Sequence, residues 1–302
     1  MASQGVKNML SINGGGVFGC GVASWLTKLN PSWKPDYLAG TSVGSIIASL
    51  IAIGRSYSVI DDMFNKQGLV NKIFTKPKFP KNILPTGYTY DNSEAKRILK
   101  EIFGDALVKD VKIPIIIVAW NWKKKKAKVF TKKYNSDYFL RDAVLASISA
   151  PTYFPIVELK DPKTGAVDQC GDGGVCGNDP SMAGIAAMIE DGIAIPDIRC
   201  LSVATSGWPE DKKINPGSSL GWMPIVIDTL TLGNADYSSY CSARILHDRY
   251  MQIMPEVPKG DLDDVKLIPK IRESWMRVDA EPAARFLNGN PPIFTHFPPV
   301  VK

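Results

Sequence analysis

Twice before residue 54 the chain runs through one pattern: a short apolar segment, a glycine-rich turn, then a longer apolar segment. Val6 to Ile12 leads into Asn13-Gly14-Gly15-Gly16-Val17-Phe18-Gly19, and Cys20 to Leu29 follows with helical spacing. Tyr37-Leu38-Ala39 leads into Gly40-Thr41-Ser42-Val43-Gly44, and Val43 to Ile53 is long enough for a buried helix. Strand, turn, helix, repeated, predicts a parallel α/β sheet. Ile113 to Trp120 and Ile198 to Ala204 read as further buried strands. Ala95 to Phe103, Tyr138 to Ile148 and Pro180 to Ile189 read as helices. Val157 to Val167, with Lys163-Thr164-Gly165 at its middle, reads as a hairpin, and Lys128 to Thr131 as a strand returning along Ile113 to Trp120. Residues 68–90, rich in Lys, Pro and Phe with little periodicity, suggest a flap over a site. The tail from Asn288 to Lys302 reads as docked chain.

A length of 302 residues allows two domains or one large α/β domain. With 45% apolar and 22% charged residues the composition is ordinary globular, which excludes collagen-like and low-complexity classes. No apolar stretch approaches the roughly 20 residues of a spanning helix. The start, Met-Ala-Ser-Gln-Gly-Val-Lys, has neither a signal-peptide apolar region nor a glycine at position 2 for myristoylation. The expected location is therefore cytoplasmic, and the five cysteines are expected as reduced thiols. Two histidines, His247 and His296, and cysteines without ligand spacing predict no metal site. Asp61-Asp62 and Asp261-Leu262-Asp263-Asp264 lack calcium-loop spacing and read as solvated acids.

Three elements carry chemistry. Gly40-Thr41-Ser42-Val43-Gly44 fits G-x-S-x-G and hangs between a strand and a helix, as a nucleophile elbow must. A second match, Gly217-Ser218-Ser219-Leu220-Gly221, follows Lys-Lys-Ile-Asn-Pro, which is loop chemistry. Gly14-Gly15-Gly16 exposes consecutive backbone N–H groups at a helix start, a nest suited to an oxyanion or phosphate, although a tight structural turn reads equally well. No Gly-Lys-Ser/Thr follows, and no acid lies about 20 residues on, so neither nucleotide fingerprint is complete and no cofactor is expected. Gly171-Asp172-Gly173-Gly174 holds an aspartate on turn-prone backbone; alone it reads as a simple Asp-Gly turn. A histidine base would have to be His247, giving a triad with Ser42 and Asp172 or Asp228.

In this order the three elements resemble the patatin-like phospholipase family, with its D-G-G-G-x-R-G loop, G-x-S-x-G elbow and D-G-G/A aspartate. The stretches Ala146 to Pro155, Asn178-Asp179-Pro180 and Leu201 to Gly207 are similar to family segments too, so the resemblance covers residues 6–210. It implies a three-layer α/β sandwich with a mostly parallel central sheet, as one domain over residues 1–302. It also implies a phospholipase A type of lipid acyl hydrolase without a catalytic histidine. Ser42 would be the nucleophile and Asp172 the base, with Gly14, Gly15 and Gly16 at the oxyanion and Gly40 and Gly44 flanking the elbow. The alternatives are a catalytically weak lipid- or partner-binding member of the fold and a carboxylesterase using His247. Asn13 and Phe18 stand where the loop usually has aspartate and arginine; Asn13 is expected to cap the turn through its side-chain oxygen.

The net charge of +6 suits anionic surfaces in general. Within the basic hairpin at 113–133, Lys123, Lys124, Lys125, Lys126, Lys128, Lys132 and Lys133 put seven lysines in eleven residues, just after Trp120 and Trp122. That mixture suits peripheral contact with an anionic membrane. It fits nucleic acid less well and is equally the make-up of a solvated hairpin tip. A weaker basic-aromatic stretch runs from Lys72 to Lys81. The expected partner is a phospholipid or other acyl-ester lipid.

Overall fold

The computed structural model describes residues 5–75, 88–207 and 222–292. Eight strands form one sheet: β1 (Lys7–Ile12), β2 (Tyr37–Thr41), β3 (Ile115–Asn121), β4 (Lys126–Phe130), β5 (Val157–Lys160), β6 (Val167–Asp172), β7 (Ile198–Val203) and β8 (Tyr250–Ile253). Their order is β5-β6-β3-β2-β1-β7-β8, with β4 also on β3. The run β3-β2-β1-β7-β8 is parallel throughout, and β4, β5 and β6 pair antiparallel.

Strands buried on both faces carry apolar residues of both parities. In β1, Leu10 and Ile12 enter one core while Met9 enters the other; in β7, Leu201 and Val203 oppose Ile198 and Cys200 in the same way. The larger core takes helices α1 (Gly19–Leu26), α2 (Val43–Ala52), α3 (Tyr57–Asp61), α4 (Leu69–Ile73), α5 (Ser93–Phe103) and α6 (Leu140–Ile148). The smaller core takes α8 (Ser181–Glu190) and the end of α9 (Trp222–Leu246). Between β6 and α8 lies the short turn α7 (Gly174–Gly177), and α10 (Ile268–Arg277) and α11 (Glu281–Leu287) close the larger core. Helices on two faces of a mostly parallel sheet make the three layers the sequence leads one to expect.

The register places the chemistry. Ile117 and Val118 of β3 pair with both β2 and β4, so those two strands lie on opposite edges of β3. Residues 119–121 pair with both β4 and β6, so β6 shares its edge with β2. β2 ends with Thr41 opposite Val118, and β6, running the other way, ends with Asp172 opposite Ala119. Two strands thus meet head-on along one edge, and the residues at their meeting ends are Ser42 and Asp172.

The sequence reading is met closely in the first two-thirds. The expected strand and helix pairs stand as β1–α1 and β2–α2, and both hairpins form, β3–β4 and β5–β6. Of the irregular stretch expected over 68–90, Leu69–Ile73 is helix and 76–87 lies outside the described residues. The second G-x-S-x-G at 217–221, His296 and most of the expected docked tail also lie outside them. All five cysteines are free thiols, with Cys20, Cys170 and Cys200 buried.

Candidate active site

Ser42 sits on the sharp turn between β2 and α2 with φ 52° and ψ −129°, a conformation an L-residue adopts only under constraint. Its neighbours supply the constraint. Its backbone N–H donates to Ser147 Oγ at 2.9 Å, and Ser147 Oγ–H donates to Val118 O at 2.6 Å. Its carbonyl accepts Ser45 N–H at 2.8 Å and Ser45 Oγ–H at 2.6 Å. Gly44 lets α2 start hard against β1: a Cβ there would lie 2.1 Å from the carbonyl oxygen of Ile12. With Gly40 on β2 ahead of it, the serine is held up, half-buried, at the strand end.

Ser42 Oγ–H donates to Asp172 Oδ2 at 2.6 Å. Asp172 is 5% exposed, and its other oxygen, Oδ1, accepts the Gly174 N–H at 2.7 Å. Burial pushes its carboxyl up to about 6; the hydrogen bonds from Ser42 and the Gly174 N–H pull the other way without cancelling it.

The loop before α1 lies across the same serine. A Cβ on Gly14 would lie 3.0 Å from Ser42 Cβ, while Gly15 (φ 156°) and Gly16 (φ 54°) take left-handed backbone. Gly14 N–H donates to Asn178 O at 3.1 Å, and Val17 N–H donates to Leu262 O at 2.8 Å. The N–H groups of Gly15 and Gly16 have no partner among the described residues. The Gly14 donor is thus already engaged, which fits the expectation that Gly14 lies near the oxyanion while Gly15 and Gly16 supply the free N–H groups. Thr205 Oγ1–H bonds the Gly14 carbonyl and holds the loop from β7's end. Asn13 departs from expectation: its Oδ1 is buried, has no partner among the described residues and caps none of them. Phe18, at the arginine's position, is fully buried in the larger core.

Beside Ser42 a narrow apolar cleft runs between α2, α4 and the segment after α6, walled by Val43, Ile46, Val70, Ile73, Phe74 and Phe154. Phe74, Tyr90 and Phe154 pack ring against ring at its end, with centroids 5.5 to 5.7 Å apart.

His247 takes no part. It is exposed, three residues before Tyr250, and Tyr250 is in register with Cys200, Met9 and Tyr37 across the parallel strands. Ser42 lies beyond the other end of β2. At about 3.3 Å per residue that separates the two by more than 10 Å along the strands alone. The triad expectation fails on this geometry. Asp228, its other acid, lies on α9.

Trp120 and Trp122 pack edge to face at 6.2 Å at the end of β3, Lys123 to Lys125 make the exposed turn, and the exposed Lys126 opens β4. Lys124 pairs with Asp168 Oδ1 at 2.6 Å and Lys128 with Oδ2 at 3.0 Å. Burial raises the Asp168 carboxyl, but the two lysines outweigh it and hold it at about 2. Lys125 and Lys126 form no ion pair among the described residues. The acids at 261–264 are in part engaged: Tyr90 O–H donates to Asp263 Oδ2 at 2.6 Å, and Asp264 Oδ1 accepts Lys266 N–H at 3.1 Å.

A family model for the patatin-like phospholipases matches residues 10–185, more than half of the chain. The protein belongs to that family and is, as a member, a lipid acyl hydrolase. Among its relatives are a cGAMP-activated phospholipase of Vibrio cholerae, 28% identical over 247 residues, and a cUMP-AMP-activated phospholipase of Escherichia coli, 28% identical over 234. These alignments cover 70% of this chain in each case, and 67% and 68% of the relatives. The crystal structure of VipD from Legionella pneumophila shares the fold, with a TM-score of 0.54 at 11% identity, over 94% of this chain and 67% of that one.

Proposed function

We propose that the protein releases fatty acid from phospholipid through a Ser42–Asp172 dyad with no histidine. The observation that carries the reading is the 2.6 Å hydrogen bond from Ser42 Oγ to a carboxyl that burial has pushed up to about 6. A carboxylate at its ordinary value near 4 is a poor acceptor for a serine proton; two units up, it is a better base and still ionised at neutral pH.

Ser42 Oγ attacks the acyl carbonyl while its proton passes to Asp172 Oδ2. The oxyanion is received by Gly15 and Gly16 N–H at the positive end of the helix that follows. Collapse breaks the ester bond, and the leaving lysophospholipid oxygen takes the proton from Asp172. Water then gives a proton to Asp172 and attacks the acyl-enzyme. The acyl-enzyme bond to Ser42 Oγ breaks as Asp172 returns that proton to Oγ, fatty acid leaves, and the cleft walled by Ile46, Ile73 and Phe74 receives the acyl chain. We assign peripheral contact with an anionic lipid surface to Lys125 and Lys126, with Lys123 and the tryptophans behind them.

The test is fatty-acid release from mixed phospholipid vesicles by the intact protein, Ser42→Ala and Asp172→Asn. Each sample is assayed with and without cGAMP and cUMP-AMP, the activators two relatives carry in their names. Release by the intact protein and at least 1,000-fold less by both folded variants is expected, the order of loss seen when a nucleophile or its base is removed. Full activity in Asp172→Asn would remove the dyad.

A further inference from the structure

We propose that Asn234, on α9 and outside the segment that matches the family model, is a positioning residue that locks the base loop to the nucleophile elbow and the oxyanion loop. The inference rests on the Ser42–Asp172 reading. Its side-chain Oδ1 accepts Asn178 N–H at 2.7 Å, and its Nδ2 donates to Gly174 O at 2.8 Å. Nδ2 also bonds Leu230 O one turn back on α9, which fixes the amide's rotamer and orientation.

One planar amide thus spans the whole α7 turn. What lies between its two grips is Gly174-Val175-Cys176-Gly177, with Gly173 just before, a segment whose glycines impose little backbone preference of their own. Each grip leads to a part of the catalytic apparatus. Gly174, held through its carbonyl, presents the N–H that bonds Asp172 Oδ1 at 2.7 Å. The Gly177–Asn178 peptide, held through its N–H, has its carbonyl oxygen bonded by Thr41 Oγ1–H at 2.6 Å, one residue before the nucleophile. The next carbonyl, Asn178 O, accepts Gly14 N–H at 3.1 Å. Base, elbow and oxyanion loop meet on one short turn, and Asn234 ties that turn to a 25-residue helix.

The chemistry sets what removal does. Without the grip on Gly174 the N–H facing Asp172 is free to turn away, and a carboxylate that loses a donor binds its proton more tightly. The acid limb of the rate profile then moves to higher pH. Misplacing the base relative to the oxyanion donors slows the chemical step, and a shift of about 1 Å is worth up to about 100-fold. Binding of a small ester in the cleft does not depend on the turn, so KM stays near its original value.

The experiment compares intact protein, Asn234→Ala and Asn234→Asp on p-nitrophenyl butyrate from pH 5 to 9, with kcat expressed per site titrated by a fluorophosphonate. Asn234→Ala is expected to lower kcat about 10- to 100-fold, keep KM within about twofold, and move the acid limb up by about one pH unit. Asn234→Asp keeps the acceptor for Asn178 N–H but sets a carboxylate against Gly174 O and adds negative charge near Asp172. It is expected to move the limb at least as far. Should the alanine variant not fold, the aspartate variant carries the same readouts. A residue that merely packs the helix would lower the melting temperature and leave the limb and kcat per titrated site within twofold; that result overturns the proposal. Full turnover in Asp172→Asn within the same series would overturn the dyad itself, an outcome distinct from any behaviour of Asn234.

Discussion

At the scale of single residues, the site is assembled from side chains held where the fold would not place them unaided. Ser42 keeps a positive φ and Asp172 keeps a carboxylate out of water. Two linked predictions follow from the carboxyl's rise to about 6. In the proposed dyad Asp172 works ionised, so kcat/KM on a soluble ester is expected to be flat from pH 7 to 8. It should then fall tenfold per unit below about pH 6, read from a pH–rate profile. Stability runs the opposite way. A folded-state value above the unfolded one near 4 means the native state holds the proton more tightly, so stability present below pH 4 is lost as pH rises through 6. At about 1.4 kcal/mol per unit the penalty at pH 7 is on the order of 3 kcal/mol. Asp172→Asn is therefore expected to be inactive yet more stable than the intact protein at pH 7, with the gap closing by pH 4. Urea midpoints at both pH values measure this, and an equal midpoint at pH 7 would contradict the buried charge. Ser42 stood out in the sequence because an elbow needs glycine beside the serine, whereas Asp172 alone reads as an Asp-Gly turn and stood out only through the family resemblance. Ser147 and Asn234 did not stand out, because each acts on backbone far away in the chain, and no spacing rule links them to it. The expected Asn13 cap failed for a related reason: residue type says what a side chain can accept, while the partner must come from elsewhere in the fold.

At the scale of elements, the decisive feature is the end-on meeting of β2 and β6 along one edge of β3. Local pattern predicts each strand and both hairpins, because alternation and turn residues are local signals. It cannot predict which edge β6 takes, since pairing is settled by long-range packing. Nor did it expose α9, whose half-exposed first turns and serine-rich inner face give no apolar stripe. The basic hairpin shows the same divide. Its strands were legible; the pairing of Lys124 and Lys128 with Asp168, which removes two of the lysines from any docking role, was not. Docking by the remaining hairpin lysines makes a definite prediction. Replacing Lys125 and Lys126 by alanine is expected to weaken binding to phosphatidylglycerol-containing vesicles by about 1 kcal/mol each, together near thirtyfold in Kd. The intact protein should show the same weakening as salt is raised. Vesicle co-sedimentation measures both, and unchanged binding would assign the hairpin to solvent.

At the scale of the whole molecule, the catalytic motifs occupy the first two-thirds of the chain and the last third holds them in place. β8 covers the open edge of β7, α9 grips the base loop, and Leu262 O takes the Val17 N–H beside the oxyanion loop. α10 completes the larger core from outside: Trp275 lies against Gly21 of α1, packs tilted against Trp25 with ring centroids 5.9 Å apart, and its Nε1–H donates to Thr205 O at 3.3 Å. Thr205 is the residue that holds the Gly14 carbonyl, so the indole braces the oxyanion loop as well as the core. Short motifs cannot announce this role, because a buried tryptophan acts through volume and needs only the groove that α1 offers. Trp275 is 0% exposed, so truncation leaves a cavity and an unpaired carbonyl together. Trp275→Ala is expected to lower stability by about 3 to 5 kcal/mol, comparable to the whole margin of many domains. Trp275→Phe, which refills most of the volume but drops the N–H, should recover more than half of that loss. Guanidinium unfolding midpoints distinguish the cases. Near-wild-type stability in the alanine variant would mean that α10 is an appendage, and that the catalytic loops are held by the motif-bearing segment alone.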